Sequence, residues 1–400
     1  MWEEIELKEL CDFREGYVNP SQEVAEYFGE DIKWLRANDL NNGYVKETSR
    51  KLSKMGYESA GKSAYLFEPN TLAISKSGTI GQLGILQDYM CGNRAVINII
   101  PNTVVTDIRF IFYSLLLKQQ VIKNLAMGSV QKNLYISVLG KLKILNPPLP
   151  DQQKIAGVLT TYDELIENNN RRIELLEKAA QNLYREWFVR FRFPNYMETK
   201  FENGLPQGWK IAQIKEIGKV ITGKTPSTEK REFYGGDIPF IKTPDMHGNI
   251  YVTDTAEKLS RMGGDSQKNI YVPKDSICVN CIGALSGSVS ITVEESQTNQ
   301  QINTLVLHNL KVLEYVFFAL RGLKETIILF GNTGSTMTNL SKGKFEKLKI
   351  LLPDDVTLYK YNFICNPIFS QIKNLMKQNR NLIKQRDLLL PRLISGKLEI

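Results

Sequence analysis

The residues best suited to chemistry in this chain lie in short stretches that combine a cation, amides and an aromatic. Trp34-Leu35-Arg36-Ala37-Asn38-Asp39 and Phe240-Ile241-Lys242-Thr243-Pro244-Asp245 each set a cation two residues after an aromatic and three before an Asp. Asn93-Arg94, Gln131-Lys132-Asn133, Asn299-Gln300-Gln301 and Thr338-Asn339 are further polar clusters. Arg and Lys can contact guanine edges in a major groove, Asn and Gln contact adenine edges, and Lys also grips phosphate. The candidate DNA-binding set is therefore Arg36, Asn38, Asn93, Arg94, Gln131, Lys132, Asn133, Lys242, Thr243, Asn299, Gln300, Gln301, Thr338 and Asn339. A structural role competes with this reading. Trp34 and Phe240 are expected in the core, with their polar neighbours capping turns, and Arg36 and Lys242 then pair with Asp39 and Asp245.

Reactive chemistry is poorly supplied. Asn146-Pro147-Pro148-Leu149 resembles the Asn-Pro-Pro-aromatic loop of DNA amino-methyltransferases, in which the aromatic ring stacks on a flipped base. Leu149 cannot stack, and the second half reads Leu351-Leu352-Pro353 without the Asn. The segment reads as a stop between strand and helix. Cys278-Val-Asn-Cys281 has half the spacing of a zinc site, but His247 and His308 are the only imidazoles, so a strand with two Cys is the simpler account. Residues 77–84 lack the Gly-Lys-Ser/Thr ending of a phosphate loop and read as a turn, matched by residues 283–287. With two His and no repeated carboxylate pair, no catalytic, metal or cofactor site assembles.

The elements that position these stretches are written twice. Trp2-Glu-Glu-Ile-Glu-Leu-Lys-Glu-Leu resembles Trp209-Lys-Ile-Ala-Gln-Ile-Lys-Glu-Ile, and Lys51-Leu-Ser-Lys-Met-Gly resembles Lys258-Leu-Ser-Arg-Met-Gly, both offset by 207 residues. At an offset of 206, Asp31-Ile-Lys-Trp-Leu-Arg matches Asp237-Ile-Pro-Phe-Ile-Lys, and Lys141-Leu-Lys-Ile-Leu matches Lys347-Leu-Lys-Ile-Leu. Gly128-Ser-Val-Gln-Lys-Asn-Leu matches Gly334-Ser-Thr-Met-Thr-Asn-Leu at the same offset. Ordered matches at one offset mark a duplication. The frame repeats while the intervening loops differ, which suits one scaffold reading two targets, although drift after duplication gives the same pattern. Short strand-like runs alternate with Gly- and Asn-rich turns, with one amphipathic helix per copy near residues 107–123 and 312–323.

Each copy is followed by a heptad stretch. Ile155, Leu159, Tyr162, Ile166, Asn169, Ile173, Leu176, Ala180, Leu183 and Trp187 recur at steps of four and three, on a helix of ~39 residues and ~58 Å. Ile368, Ile372, Leu375, Asn379, Leu382, Arg386, Leu389 and Leu393 repeat the step. Neither stripe can be buried alone, so each needs a partner helix. Because the frame repeats at one offset, a pseudo-twofold axis is expected to pack the two helices antiparallel, with Asn169 or Asn170 near Gln378 or Asn379. Asn169 and Asn379 either fix the register or lie solvated at a bundle edge. Pro391 is expected to end or kink the second helix. The stretch from Phe193 to Trp209 reads as exposed coil.

The 400 residues, 42% hydrophobic, support two or three packed domains. The net charge is +8, and residues 356–400 hold eight basic against two acidic side chains, a balance suited to a polyanion. Five scattered Cys argue against a disulfide framework. No signal-peptide pattern or long apolar run is present, so a cytoplasmic location is expected.

The chain resembles, along essentially its whole length, the specificity subunit of type I restriction-modification systems. The resemblance rests on PPLPDQQKIAGVL entering the first long helix, on YDELIENNNRRIELLEKAAQNLYREWFVRFRFP, on LPQGW opening the second half, and on the closing RDLLLPRLISGKL. The family's Glu-Gln before the long helix is approximated by Asp151-Gln152, while Asp354-Asp355 departs from it. The resemblance implies an α+β fold: two similar α/β target-recognition domains separated by two long antiparallel coiled-coil helices, in a pseudo-twofold internal repeat. The corresponding segments are a first recognition domain at 1–148, a first spacer helix at 149–192 and a linker at 193–208. A second recognition domain at 209–353 and a second spacer helix with tail at 354–400 follow. It further implies double-stranded DNA, two modification (methyltransferase) subunits and restriction subunits as partners, with no membrane. S-adenosylmethionine, ATP and Mg would reside in those partners, not in this chain. An adenine methyltransferase, or a coiled-coil scaffold that binds no DNA, stands as an alternative.

Overall fold

The computed structural model describes residues 2–127, 132–332 and 339–398. They divide into two compact units. Unit 1 comprises 1–166 with 382–400, and unit 2 comprises 167–381. Each unit thus owns a globular part and a portion of both long helices, because the helices bury their apolar stripes against the globular cores. Ile155, Leu159, Leu390 and Leu393 belong to the core of unit 1, and Trp187, Phe369 and Ile372 to that of unit 2.

The strand order is the same in the two units. In unit 1 a five-stranded sheet runs Cys11–Glu15, Val96–Pro101, Leu72–Ser75, Leu83–Leu86, Gly43–Val45; in unit 2 it runs Gly218–Thr222, Ile302–Leu307, Ile277–Asn280, Val289–Thr292, Tyr251–Val252. The last strand is parallel to its neighbour in both. A second sheet is built on Phe28–Leu35 or Tyr234–Ile241, each bulged at the matching place, Phe28/Ile32 and Tyr234/Ile238. The central strands are buried on both faces, which explains their unbroken apolar runs. Leu72 and Ile74 face the helices while Ala73 faces the second sheet, as a two-residue period requires. The one helix expected per copy is two: Ile108–Leu117 with Gln119–Leu125, and Leu313–Gly322 with Lys324–Gly331. In the first copy the expected stretch runs across the break at Lys118, and in the second it stops before the following helix.

The first long helix spans Leu149–Tyr184 and continues through a π-helical turn, Arg185–Val189; the second spans Asp355–Ile394. They run antiparallel within each unit. In unit 1 Arg386 meets Asp163, and in unit 2 Asn379 meets Asn169 and Trp187 meets Tyr361. The Asn169 amide donates to Asn379 Oδ1 at 2.9 Å, and Asn379 Nδ2 donates to Asn170 Oδ1 at 2.8 Å. Asn169 and Asn379 are buried, so the open question at this seam resolves to a paired polar rung, the arrangement that fixes register. Ile155, Leu159, Ala180, Trp187, Ile372, Leu375 and Leu393 are buried; Tyr162, Ile166, Ile173, Leu176, Leu183, Ile368, Leu382, Arg386 and Leu389 are partly so. Phe369 and Leu390, off the heptad, are buried too, since the globular parts cover a second face of the helix; Tyr361 and Cys365 continue the seam one heptad before Ile368 and Ile372 and are also buried.

Two expectations need correcting. Pro391 does not end the second helix, which runs on to Ile394. Leu390, Leu393 and Ile394 are buried in unit 1, and that packing outweighs one missing N–H. Nor is the stretch between the halves simple coil. Phe193 and Trp209 pack together in the core of unit 2, and Phe201–Glu202 pairs with Leu205–Pro206 about Asn203-Gly204. Both of these turn residues have positive φ, the signature of the two-residue Asn-Gly hairpin.

The helix starts are fixed by different devices. Gln152 is fully buried and accepts from the Thr106 hydroxyl and the Asp107 N–H, while its amide donates to Asn146 Oδ1 and the Pro147 carbonyl. Asp354 instead accepts from Thr357 N–H and Oγ1 and from Trp209 Nε1. Burial works against its charge, yet these bonds prevail and hold the carboxyl below its ordinary range.

Candidate nucleic-acid interface

Each unit carries one tight turn at the joint between its two sheets. In unit 1 the Asn93 N–H donates to the Leu35 carbonyl, Asn93 Oδ1 accepts from the Ala95 N–H at 3.0 Å, and the Val96 N–H returns to the Asn93 carbonyl. In unit 2 Asn299 N–H donates to the Ile241 carbonyl, Asn299 Oδ1 accepts from Gln301 N–H at 3.2 Å, and Ile302 N–H closes on Asn299. An Asn whose side chain bonds its own backbone two residues on defines such turns. A glycine strand end backs each of them. A Cβ on Gly16 would lie 2.3 Å from the Gly92 carbonyl carbon, and one on Gly223 would lie 2.1 Å from the Asn299 carbonyl oxygen. The chain can approach this closely only without a side chain.

The aromatic-cation stretches end the adjoining strands. Trp34 and Phe240 are buried, and Trp34 Nε1 donates to the Val18 carbonyl at 2.8 Å. Asp39 accepts the Arg36 N–H at 2.9 Å and Asp245 the Lys242 N–H at 2.8 Å, so both carboxylates cap the turn through the backbone. The Arg36 guanidinium lies 3.8 Å from Asp39 and reaches Ser49, while Lys242 Nζ pairs with Glu257 at 2.7 Å. The capping account therefore holds for Asp39 and Asp245, and it leaves Arg36 and Lys242 only partly covered. Asn38 is exposed beside Arg36.

In unit 1 these elements open onto a cleft of about 440 Å³ lined by Asn19, Lys76, Ser77, Asn93, Arg94, Ala95, Asn133 and Tyr135. Three candidates from the sequence, Asn93, Arg94 and Asn133, come together here. Lys76 is neutralised by Glu15 at 2.7 Å. Among the described residues the exposed Arg94 guanidinium has no hydrogen-bond or ion-pair partner. Asn19, Lys76 and Tyr135 escaped the sequence reading, since nothing nearby in the chain marks them. The Lys76 N–H to Ala95 bond and the Leu134 N–H to Lys76 bond place Lys76 and Tyr135 beside the turn.

Unit 2 fills the corresponding region with a neutral network. Thr243 is buried, and its hydroxyl lies 3.1 Å from both Asn280 Oδ1 and Gln301 Oε1; Asn299 Nδ2 also donates to Gln301 Oε1. Thr243, Asn299 and Gln301 are thus committed to the fold. Gln300 is exposed, its carbonyl oxygen accepting from the Thr225 hydroxyl. Lys132 and Asn339 are exposed, and Asn339 joins Ile282 in an isolated bridge. Gln131 and Thr338 lie outside the described residues.

The other motifs sit elsewhere. Cys278 and Cys281 are buried in unit 2, beside the Thr304 hydroxyl and the Val279 carbonyl respectively, and burial pushes their thiols up to about 12 and about 11. Asn146 is tied to Gln152. Among the described residues no helix is long and apolar enough to cross a membrane.

Comparison with known proteins agrees with this architecture. The family model of the type I restriction modification DNA specificity domain matches residues 1–178 and again 206–385. The HindI specificity subunit of Haemophilus influenzae is 29% identical over 379 residues, covering 78% of this chain and 82% of that protein. The MjaIX specificity subunit of Methanocaldococcus jannaschii is 26% identical over 423 residues, covering 100% and 94%. The crystal structure of a type I restriction-modification system S subunit from M. genitalium shares the fold, with TM-score 0.62 and 18% identity over 98% of this chain and 96% of that one. The class is therefore a twice-repeated DNA specificity domain mounted on long helices. The chain belongs to the type I restriction-modification specificity family, as a non-catalytic specificity subunit.

Proposed function

We propose that this chain reads a bipartite DNA site for a type I restriction-modification complex in the cytoplasm. Each globular domain takes one half-site, and the two long helices set the unread spacer. The helices also dock two modification subunits, and restriction subunits join that core. S-adenosylmethionine, ATP and Mg are the partners' cofactors. The observation that carries this reading is the unit 1 cleft, where amides line a concavity with a guanidinium that no group among the described residues neutralises. A polar, positively charged concavity of that kind suits a nucleic acid better than an apolar ligand.

Duplex binding by the assembled complex tests it. Affinity should fall steeply with salt, by a slope of ~0.9 per phosphate neutralised, and tighten for one bipartite sequence. Salt-independent or absent binding contradicts the reading. Inserting one heptad into each long helix, after Asn169 and before Asn379, adds ~10 Å and should lengthen only the spacer. A changed half-site in that variant contradicts the spacer role.

A further inference from the structure

The two Asn-closed turns have the same bonds and the same glycine backing, yet their exposed residues differ. Asn93 and Asn299 are spent on closing the turn, and Gln301 is held by Thr243 and Asn299. What each turn presents outward is a single side chain, Arg94 in unit 1 and Gln300 in unit 2. Arg94 has no protein partner among the described residues, although Lys76 in the same cleft has Glu15. Gln300 has its carbonyl oxygen fixed by Thr225, which orients the amide and leaves Nε2 free to donate.

A job common to both positions must be one that both Arg and Gln can do. Gripping phosphate suits Arg, whereas the uncharged Gln can offer phosphate a hydrogen bond but neutralises no charge. Reading a base edge suits both. The guanidinium fork matches the O6 and N7 acceptors of guanine, and the Gln amide matches the N6 donor and N7 acceptor of adenine. We infer that these turns are equivalent base-reading positions, with Arg94 reading a guanine in one half-site and Gln300 an adenine in the other. The inference rests on the DNA-reading function proposed above.

The test is methylation mapping in cells carrying the full chain with its partner subunits. Arg94→Gln should replace guanine by adenine, or abolish the guanine preference, at one position of one half-site. Gln300→Arg should make the reverse change in the other half-site alone. In duplex competition the preference at that position should drop by roughly 5- to 150-fold. An unchanged motif overturns the inference, as does a uniform loss of affinity with the salt slope reduced by ~1, the mark of a phosphate contact. If Arg94→Gln gives no methylation, duplex competition with Arg94→Ala decides, since it removes every donor at this position. Guanine preference lost at that one position with the rest of the site still preferred supports the inference, and guanine preference retained overturns it. A native complex that binds no duplex would instead remove the functional reading itself.

Discussion

Where unit 2 sets Phe369 of the second long helix among Phe317, Phe318 and Tyr251, unit 1 sets Asp163 of the first, one repeat earlier. Asp163 accepts from Tyr113 at 2.6 Å and from Arg386 at 2.6 Å. The partner position of Arg386 in the repeat is Ala180, fully buried. One backbone frame thus supports an aromatic cluster in one unit and a charged triad in the other. The frame is fixed by strands and by the helix pair, so the side chains between them can diverge provided volume and polar pairing are met. The two Asn-closed turns obey the same rule.

Several substitutions would break or sharpen that comparison. Phe369→Ala should cost the most, about 3–5 kcal/mol, and should lower the first unfolding transition in calorimetry. Arg386→Ala should cost less, about 1–3 kcal/mol, because Asp163 keeps its Tyr113 bond. Equal losses would mean that the two halves are not held in these different ways.

Gln152→Leu copies Leu358, its counterpart in the repeat, and should cost on the order of 2–3 kcal/mol. It leaves the Thr106 hydroxyl, the Asp107 N–H and the Pro147 carbonyl without their partner. The urea midpoint should fall at unchanged slope. A neutral result would show that the two helix starts are interchangeable.

Glu314 gives a pH dependence confined to unit 2. It is buried, and burial raises its carboxyl above the ordinary 4.5, against the hydrogen bonds from Asn366 and Asn362. A raised folded value means that its contribution is fully present below 4.5 and is lost as pH rises through that folded value. Against Glu314→Gln, which cannot ionise, native stability should decline by about 1.4 kcal/mol per pH unit within the window and then level off. A constant difference across pH would contradict a carboxyl raised by burial.

The smallest effect on stability belongs to Lys242→Ala. Its pair with Glu257 is more than a third exposed on each side, so the loss should be under about 0.5 kcal/mol. If Lys242 grips phosphate, the salt slope of duplex binding should drop by ~1 without altered base preference. A large loss of stability with unchanged binding would make it structural.

Much of the frame was legible because it is written in local patterns. The repeat showed itself in Lys258-Leu-Ser-Arg-Met-Gly and its counterpart, and the seam in Leu159, Asn169, Ile372 and Asn379. The heptad missed Phe369 and Leu390 because their burial comes from a globular surface that heptad spacing does not encode, whereas Tyr361 and Cys365 lie in phase, one heptad before Ile368 and Ile372. The Asn203-Gly204 hairpin was a readable signal masked by its polar surroundings. Within the candidate site, Asn93, Arg94 and Asn133 were legible from residue type. Lys76, Tyr135 and Asn19 were not, because only the fold brings them beside that turn. Thr243 and Gln301 have side chains suited to base reading, yet they are tied to Asn280 and Asn299, partners remote in sequence or hidden within the turn.

The central claim is that each domain reads its half-site independently of the other. The most direct test replaces residues 206–352 with those of a related subunit and maps methylated sites in cells carrying the chimera with its partner subunits. One half-site should change to the donor's sequence, while the other half-site and the spacer stay as they were. A change in both half-sites, or in neither, would contradict the account.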